Sequence, residues 1–177
     1  MFLSSRLSFE ALTEQHADEL FEAFLPPQIY DFLPELPPRS LESMREEYRE
    51  FSSGAPAGSG EIWLNRAVRD TSTQCAIGKL QATVFSDGLL WIGYKFTPVT
   101  AGRGLGTEAV QWLVAVLSAR LPNKPVLAAV DTRNTASVRV LQKAGFNLLR
   151  REPADIRGCP SEDYVFQSVK LAPPSEA

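Results

Sequence analysis

The chain has 177 residues, of which 44% are hydrophobic and 22% charged, and carries a formal net charge of −3. That length builds one compact domain with a sizeable core, expected over residues 1–171, and its mild acidity without Lys/Arg blocks excludes a dedicated nucleic-acid or anionic-membrane surface. No run reaches the roughly 18 apolar residues of a membrane span, residues 1–20 lack a signal-peptide core, and Cys75, Cys159 and the lone His16 have no disulfide, metal or triad spacing; we expect a soluble, cytoplasmic, metal-free protein, monomeric or homodimeric.

A short strand spans Arg6 to Leu12, and Thr13 is placed to cap a helix whose apolar positions Ala17, Leu20, Phe21, Phe24 and Leu25 share one face. Pro26 and Pro27 end it. The stretch Pro26 to Arg39 holds five prolines around Tyr30, Phe32 and Leu36 and predicts an irregular but ordered loop. A second helix begins at Ser40, with Leu41, Met44, Tyr48 and Phe51 facing inward, followed by the small-residue segment Ser52 to Gly60, expected to be the most mobile loop of the domain.

Three strands follow, Glu61–Arg69, Cys75–Phe85 and Leu89–Phe96, with Asp87-Gly88 as the turn of the last hairpin. After the glycine-rich turn Ala101 to Gly106, a helix runs from Thr107 to about Leu121. Val126–Val130 has the near-continuous apolar character of a buried strand, and Thr135–Ala144 is a short helix closed by Gly145. Two last strands, Phe146–Arg151 and Asp163–Leu171, precede a tail at 172–177 with a disordered composition. The order predicts an α/β (α+β) fold: one mixed, mostly antiparallel sheet of about seven strands with helices on both faces.

Gly102, Gly104 and Gly106 stand directly before a helix. Backbone N–H groups that converge on an anion tolerate no crowding side chains, and a helix N-terminus adds partial positive charge, so a phosphate or pyrophosphate is the natural guest, with Arg103 as a charged contact. A tight strand-to-helix connection is the alternative use of the same glycines. No Gly-Lys-Ser/Thr follows, which removes the Walker loop, and Thr107 stands where a Rossmann fingerprint requires its third glycine, although Asp131 mimics that fold's ribose ligand.

The segment Gly102-Arg103-Gly104-Leu105-Gly106-Thr107-Glu108-Ala109 resembles the acyl-CoA pyrophosphate loop of the GNAT N-acetyltransferases. Asn134-Thr135-Ala136-Ser137-Val138-Arg139-Val140-Leu141-Gln142-Lys143-Ala144-Gly145-Phe146 resembles that family's second cofactor motif. With Ile92-Gly93-Tyr94 on the preceding strand and Arg6-Leu7 at the start, the resemblance spans roughly residues 5–171 and is closest to the branch of Rim-type ribosomal-protein N-terminal acetyltransferases. It implies acetyl-CoA as co-substrate, no metal, and transfer to a primary amine on a small molecule or a peptide or protein N-terminus by direct attack in a ternary complex. It further implies that Phe96 and Thr97 lie along the pantetheine arm, that the amides of Gly102, Arg103, Gly104, Leu105, Gly106 and Thr107 hold the pyrophosphate, and that Asn134 lies beside the pantetheine. Ser137 would serve the departing thiolate.

Two positions depart from the family pattern. Trp91 stands where many relatives carry a glutamate before Ile-Gly-Tyr, and Ala101 replaces the usual Gln or Arg at the start of the loop. Amine acetylation requires a proton acceptor, a stabilised carbonyl oxygen and a solvated thiolate. By resemblance the acceptor lies shortly after the strand that follows the second motif, where Asp155 and Glu152 stand. Glu61, Asp131 and water are alternatives, and a non-catalytic acyl-CoA-binding module is the competing function. The Pro-rich loop, the second helix and the final hairpin are expected to form the substrate side, with Tyr30, Phe32, Trp63 and Trp91 as candidate lining.

Overall fold

The computed structural model describes residues 4–122 and 124–168. The expected end of the last strand and the tail at 172–177 lie outside the described residues. In chain order the elements are β1 (Leu7–Ala11), α1 (Gln15–Leu20), α2 (Leu41–Ser53), β2 (Ile62–Asp70), β3 (Ala76–Val84), β4 (Leu90–Phe96), α3 (Leu105–Arg120), β5 (Val126–Asp131), α4 (Thr135–Lys143), β6 (Phe146–Ile156) and β7 (Cys159–Ser168). The strands form one seven-stranded sheet in the order β1-β2-β3-β4-β5-β7-β6. Only β4 and β5 run parallel; the other neighbours are antiparallel. The expected mixed, mostly antiparallel sheet is therefore present.

Each face is covered by two helices. On one, α3 and α4 bury Leu113, Leu117 and Leu141 against Leu80, Ile92, Val126 and Phe166. On the other, α1 and α2 bury Leu20, Met44 and Tyr48 against Ala67 and Ala76. The inward face expected for the second helix is the buried one, and Ser40 with Ser43 forms a reciprocal capping box at its start.

Local differences from the expected elements have physical causes. α1 begins at Gln15 with Glu14, not Thr13, as its N-cap and no side-chain cap hydrogen bond; His16 Nδ1 instead accepts the Thr13 N–H at 3.1 Å. α3 starts at Leu105, so Gly106 and Thr107 belong to its first turn. The final hairpin is longer than expected on both sides of its turn. Pro153 is tolerated because β6 is the edge strand and needs no N–H on its outer side. Arg157 (φ 55°) and Gly158 (φ 82°) then supply the two left-handed residues of a tight hairpin turn.

Candidate active site

The parallel pair β4–β5 is short. Leu90 pairs with Val126 and Trp91 with Leu127, and beyond these positions the strands diverge. On β4 the hydrogen bonds Phe85 N–H to Leu89 O at the turn and Thr97 N–H to Ile77 O at the far end fix the phase of the β3–β4 ladder. Because bonding positions alternate, Trp91, Gly93 and Lys95 point their backbone groups to β3, and Ile92, Tyr94 and Phe96 point theirs toward β5, with the Ile92 N–H used in the last pairing and Tyr94 and Phe96 opening into the gap. Of the two expected arm positions, Phe96 opens to the gap. Thr97 turns away, with its N–H on Ile77 at 2.9 Å and its carbonyl accepting the Thr100 N–H at 3.1 Å.

At the end of β4 the chain enters the glycine turn. Gly102 (φ 73°) and Gly104 (φ 74°) are both left-handed, a conformation that L side chains rarely adopt, and Gly104 is the N-cap of α3. Arg103 N–H is spent on the Thr100 carbonyl at 3.2 Å, and Glu108 N–H on Gly104 at 3.1 Å. Among the described residues no acceptor takes the N–H groups of Gly102, Gly104, Leu105, Gly106 or Thr107. Five unengaged donors at the start of a sixteen-residue helix suit a pyrophosphate by number and by the helix dipole. An open cavity of about 420 Å³ lies beside them, lined by Arg6, Gly104, Thr107, Gln111 and Lys143 among others.

Across the gap, α4 presents Ser137. Its hydroxyl lies 2.7 Å from the Tyr94 hydroxyl, which also reaches the Ser137 carbonyl at 3.3 Å. Burial pushes the Tyr94 phenol up to about 12, so it remains a proton donor through neutral pH. Asn134 caps α4 by accepting the Ser137 N–H on Oδ1 at 3.1 Å, which leaves its amide group as a donor.

The opposite sheet face forms a second opening. Val126, Ala128 and Val130 pack into the α3/α4 core, so Leu127, Ala129 and Asp131 face away from it. Gly93 on β4 and Ala129 on β5, both beyond the last paired positions, are exposed. The Pro-rich loop approaches this face at three points. Lys95 Nζ binds the Glu35 carboxylate at 3.0 Å, Arg157 donates to the Glu35 carbonyl at 3.3 Å, and Arg133 lies over the Phe32 ring at 5.7 Å. Of the candidate lining, Tyr30 is core, donating its hydroxyl to the Phe24 carbonyl, and the Trp63 indole is bonded to Glu61.

The carboxylates separate by partner. Asp131 is buried and doubly bound by the Arg133 guanidinium and backbone N–H, which hold its carboxyl below the ordinary range. Glu152 pairs with Arg150 at 2.9 Å. Asp155 is exposed at the tip of the β6–β7 hairpin and accepts the Gly158 N–H at 2.6 Å. Asp163, absent from the sequence-derived candidates, lies directly opposite Asp131 on one side and Glu152 on the other, which puts all three on one face. No cation pairs with Asp163 among the described residues, and its carboxyl is raised by burial and by the neighbouring Asp131 and Glu152. Its residue type was visible in the sequence; the register that aligns it was not.

The family model of the acetyltransferase (GNAT) domain matches residues 6–147. No curated protein sequence matches the chain. Among solved structures, a GNAT-family acetyltransferase from Bacillus anthracis is similar at TM-score 0.80 and 17% identity, covering 97% of this chain and 99% of that one. An acetyltransferase from Salmonella typhimurium that modifies the N-terminal serine of a 50S ribosomal subunit protein is similar at TM-score 0.79 and 17% identity, with 94% and 96% covered. Spermidine N-acetyltransferase from Vibrio cholerae is similar at TM-score 0.73 and 16% identity, with 94% and 97% covered. With its splayed β4–β5 pair, its glycine turn of free amides and a family match over most of its length, the chain belongs to the GNAT family of acetyl-CoA-dependent N-acetyltransferases.

Proposed function

We propose that this enzyme acetylates a substrate bearing an ammonium group, on a peptide or protein N-terminus or a small polyamine, by direct attack in a ternary complex. The observation that carries this reading is the single gap between β4 and β5. It has hydrogen-bonding backbone and the Tyr94–Ser137 hydroxyl pair along it, and the cation-free carboxylate of Asp163 on the far face. Its solved neighbours include a spermidine N-acetyltransferase bound to CoA and spermine, and an enzyme that modifies an N-terminal serine. Polyamines and chain N-termini carry positive charge near neutral pH, and Asp163, the carboxylate of the three that no cation neutralises among the described residues, attracts them. Cys75 and Cys159 are free and exposed, which fits a reducing, cytoplasmic setting.

Acetyl-CoA supplies the thioester. The free N–H groups of Gly102, Gly104, Leu105, Gly106 and Thr107 bind its pyrophosphate, and the Phe96 backbone, with the Asn134 amide group, aligns the pantetheine as an added strand. The gap-facing N–H group of Tyr94, beyond the last paired position of β4 and β5, stabilises the carbonyl oxygen as charge develops. The Ser137 hydroxyl, backed by Tyr94, donates to the leaving sulfur. The ammonium proton goes to a carboxylate of the β6–β7 hairpin. Asp155 is the assignment by resemblance, and Asp163 is the one favoured by chemistry. Asp163 has no cationic partner among the described residues and a raised carboxyl, which brings a base closer to the working pH.

A panel of N-terminal peptides and polyamines with thiol detection tests the reading, alongside calorimetric titration with acetyl-CoA. Saturable binding and thiol release with at least one amine are expected. The absence of both overturns the function. Binding without turnover on any amine selects the non-catalytic acyl-CoA-binding module, which Trp91 at the usual glutamate position favours.

A further inference from the structure

The glycine turn is held from outside by the start of the sheet. Leu7 and Asp70 are partner positions of β1 and β2, and the chain at this end reaches the turn from two sides. Arg6, just before β1, donates from Nη1 to the Arg103 carbonyl at 3.0 Å and from Nε to the Glu108 carboxylate at 2.8 Å. Asp70, the last residue of β2, accepts the Arg103 guanidinium on Oδ2 at 2.8 Å. Its other oxygen is fixed by the Ser72 N–H at 2.9 Å and hydroxyl at 2.6 Å. Arg103 is thus gripped at its carbonyl and at its side chain.

Two physical needs meet here. A Gly-x-Gly turn is conformationally permissive, and its central residue must be fixed for the flanking N–H groups to converge. Glu108 also puts a carboxylate in the first turn of α3, where it suits the helix dipole but repels an incoming anion; the Arg6 guanidinium neutralises it. Ser4 adds a hydroxyl donor to the same carboxylate. Asp70, for its part, is 2% exposed, and Ser72 followed by Arg103 holds its carboxyl at about 2, so this anchor is ionised at every working pH.

We propose that Arg6 and Asp70 are positioning residues for the CoA pyrophosphate, acting through Arg103 and Glu108 to preset the conformation of the Gly102–Gly104 turn. The inference rests on the reading that this turn holds the pyrophosphate. It makes Arg103 the handle by which the sheet holds the turn, in place of the direct pyrophosphate contact expected of it, since its N–H is spent on Thr100 and its guanidinium is held by Asp70.

The test compares two acyl donors, acetyl-CoA and S-acetyl-pantetheine, which has the same thioester without the pyrophosphate. Arg6→Ala and Asp70→Asn are expected to raise KM for acetyl-CoA and Kd for CoA about tenfold, the size of one charge-assisted hydrogen bond. kcat at saturation is expected to stay within about twofold, with KM for S-acetyl-pantetheine unchanged. Arg6→Lys keeps the charge opposite Glu108 but loses the fork to the Arg103 carbonyl, and an intermediate effect is expected. Circular dichroism melting of each variant identifies any loss of fold, and Arg6→Lys then carries the comparison. Equal effects on both donors, or none on either, overturn the positioning role. Failure of the wild type to bind CoA overturns the reading of the turn itself, which separates the two failures.

Discussion

Asp163 on β7 stands directly opposite Asp131 on β5, yet only Asp131 has a guanidinium on it. Two carboxylates on one sheet face therefore differ in chemistry. Arg133 stabilises the ionised form of Asp131, whereas burial and like charge disfavour the ionised form of Asp163. A catalytic site needs such a split, because a base must be able to take a proton near the working pH.

Asp163→Asn is expected to lower kcat about 100-fold, at the low end of general-base contributions, while Asp155→Asn changes it little. The stability effect runs the other way. The folded state holds the Asp163 proton more tightly than the unfolded chain, so wild-type stability falls as pH rises through the ordinary carboxyl range. The Asn variant is therefore expected to melt no lower than wild type at pH 7. Steady-state kinetics and melting curves at two pH values check both parts, and an Asp155→Asn enzyme with the larger loss would move the assignment to the hairpin tip.

The hydroxyl pair predicts a different kinetic pattern. Tyr94→Phe leaves Ser137 without its 2.7 Å partner, and Ser137→Ala removes the donor to sulfur itself. Each is expected to reduce kcat, by about tenfold for Tyr94→Phe, with KM for acetyl-CoA nearly unchanged, because the interaction strengthens only as charge develops on sulfur. A thioester with a less basic leaving thiolate is expected to recover part of the loss in the serine variant. A KM effect without a kcat effect would show that the pair only packs.

Gly78 is set by strand contact rather than by a turn. A Cβ there would stand 2.4 Å from the Phe96 ring and 2.5 Å from the Lys95 carbonyl, inside the contact limit of backbone that cannot move freely. Gly78→Ala is expected to destabilise the fold by about 1–3 kcal/mol through overpacking. It should also displace Phe96, and with it the arm-binding edge of β4. Urea unfolding midpoints measure the first effect and CoA titration the second.

Acid stability is expected to depend on the network at β1. Arg69 first, then His16, hold the Glu10 carboxyl at about 2 against an ordinary 4.5. A depressed carboxyl contributes stability that is complete above its unfolded value and is lost as pH falls toward its folded one. Wild-type stability should therefore decline below about pH 4.5 as the pH approaches 2. Arg69→Ala, which also releases Glu19, should make that decline shallower in urea titrations at successive pH values. An unchanged slope would show that Arg69 does not set it.

The local chemistry of this protein was legible in its sequence. Helical periodicity marked the buried side of α2, Asp87-Gly88 marked a turn, and glycines before a helix marked free amides, because each depends on residues close in the chain. The same holds for the acetyltransferase family, whose two motifs are contiguous segments. Tertiary structure decided whatever depends on register and strand divergence: that Thr97 turns its backbone to β3, that Tyr94 meets Ser137 across 43 positions of chain, and that Asp163 aligns with Asp131. It also decided that Arg6 and Asp70 grip a turn far from them in sequence. These relationships follow from sheet pairing and core packing, which sum weak contacts over the whole chain, so no short window of residues contains them.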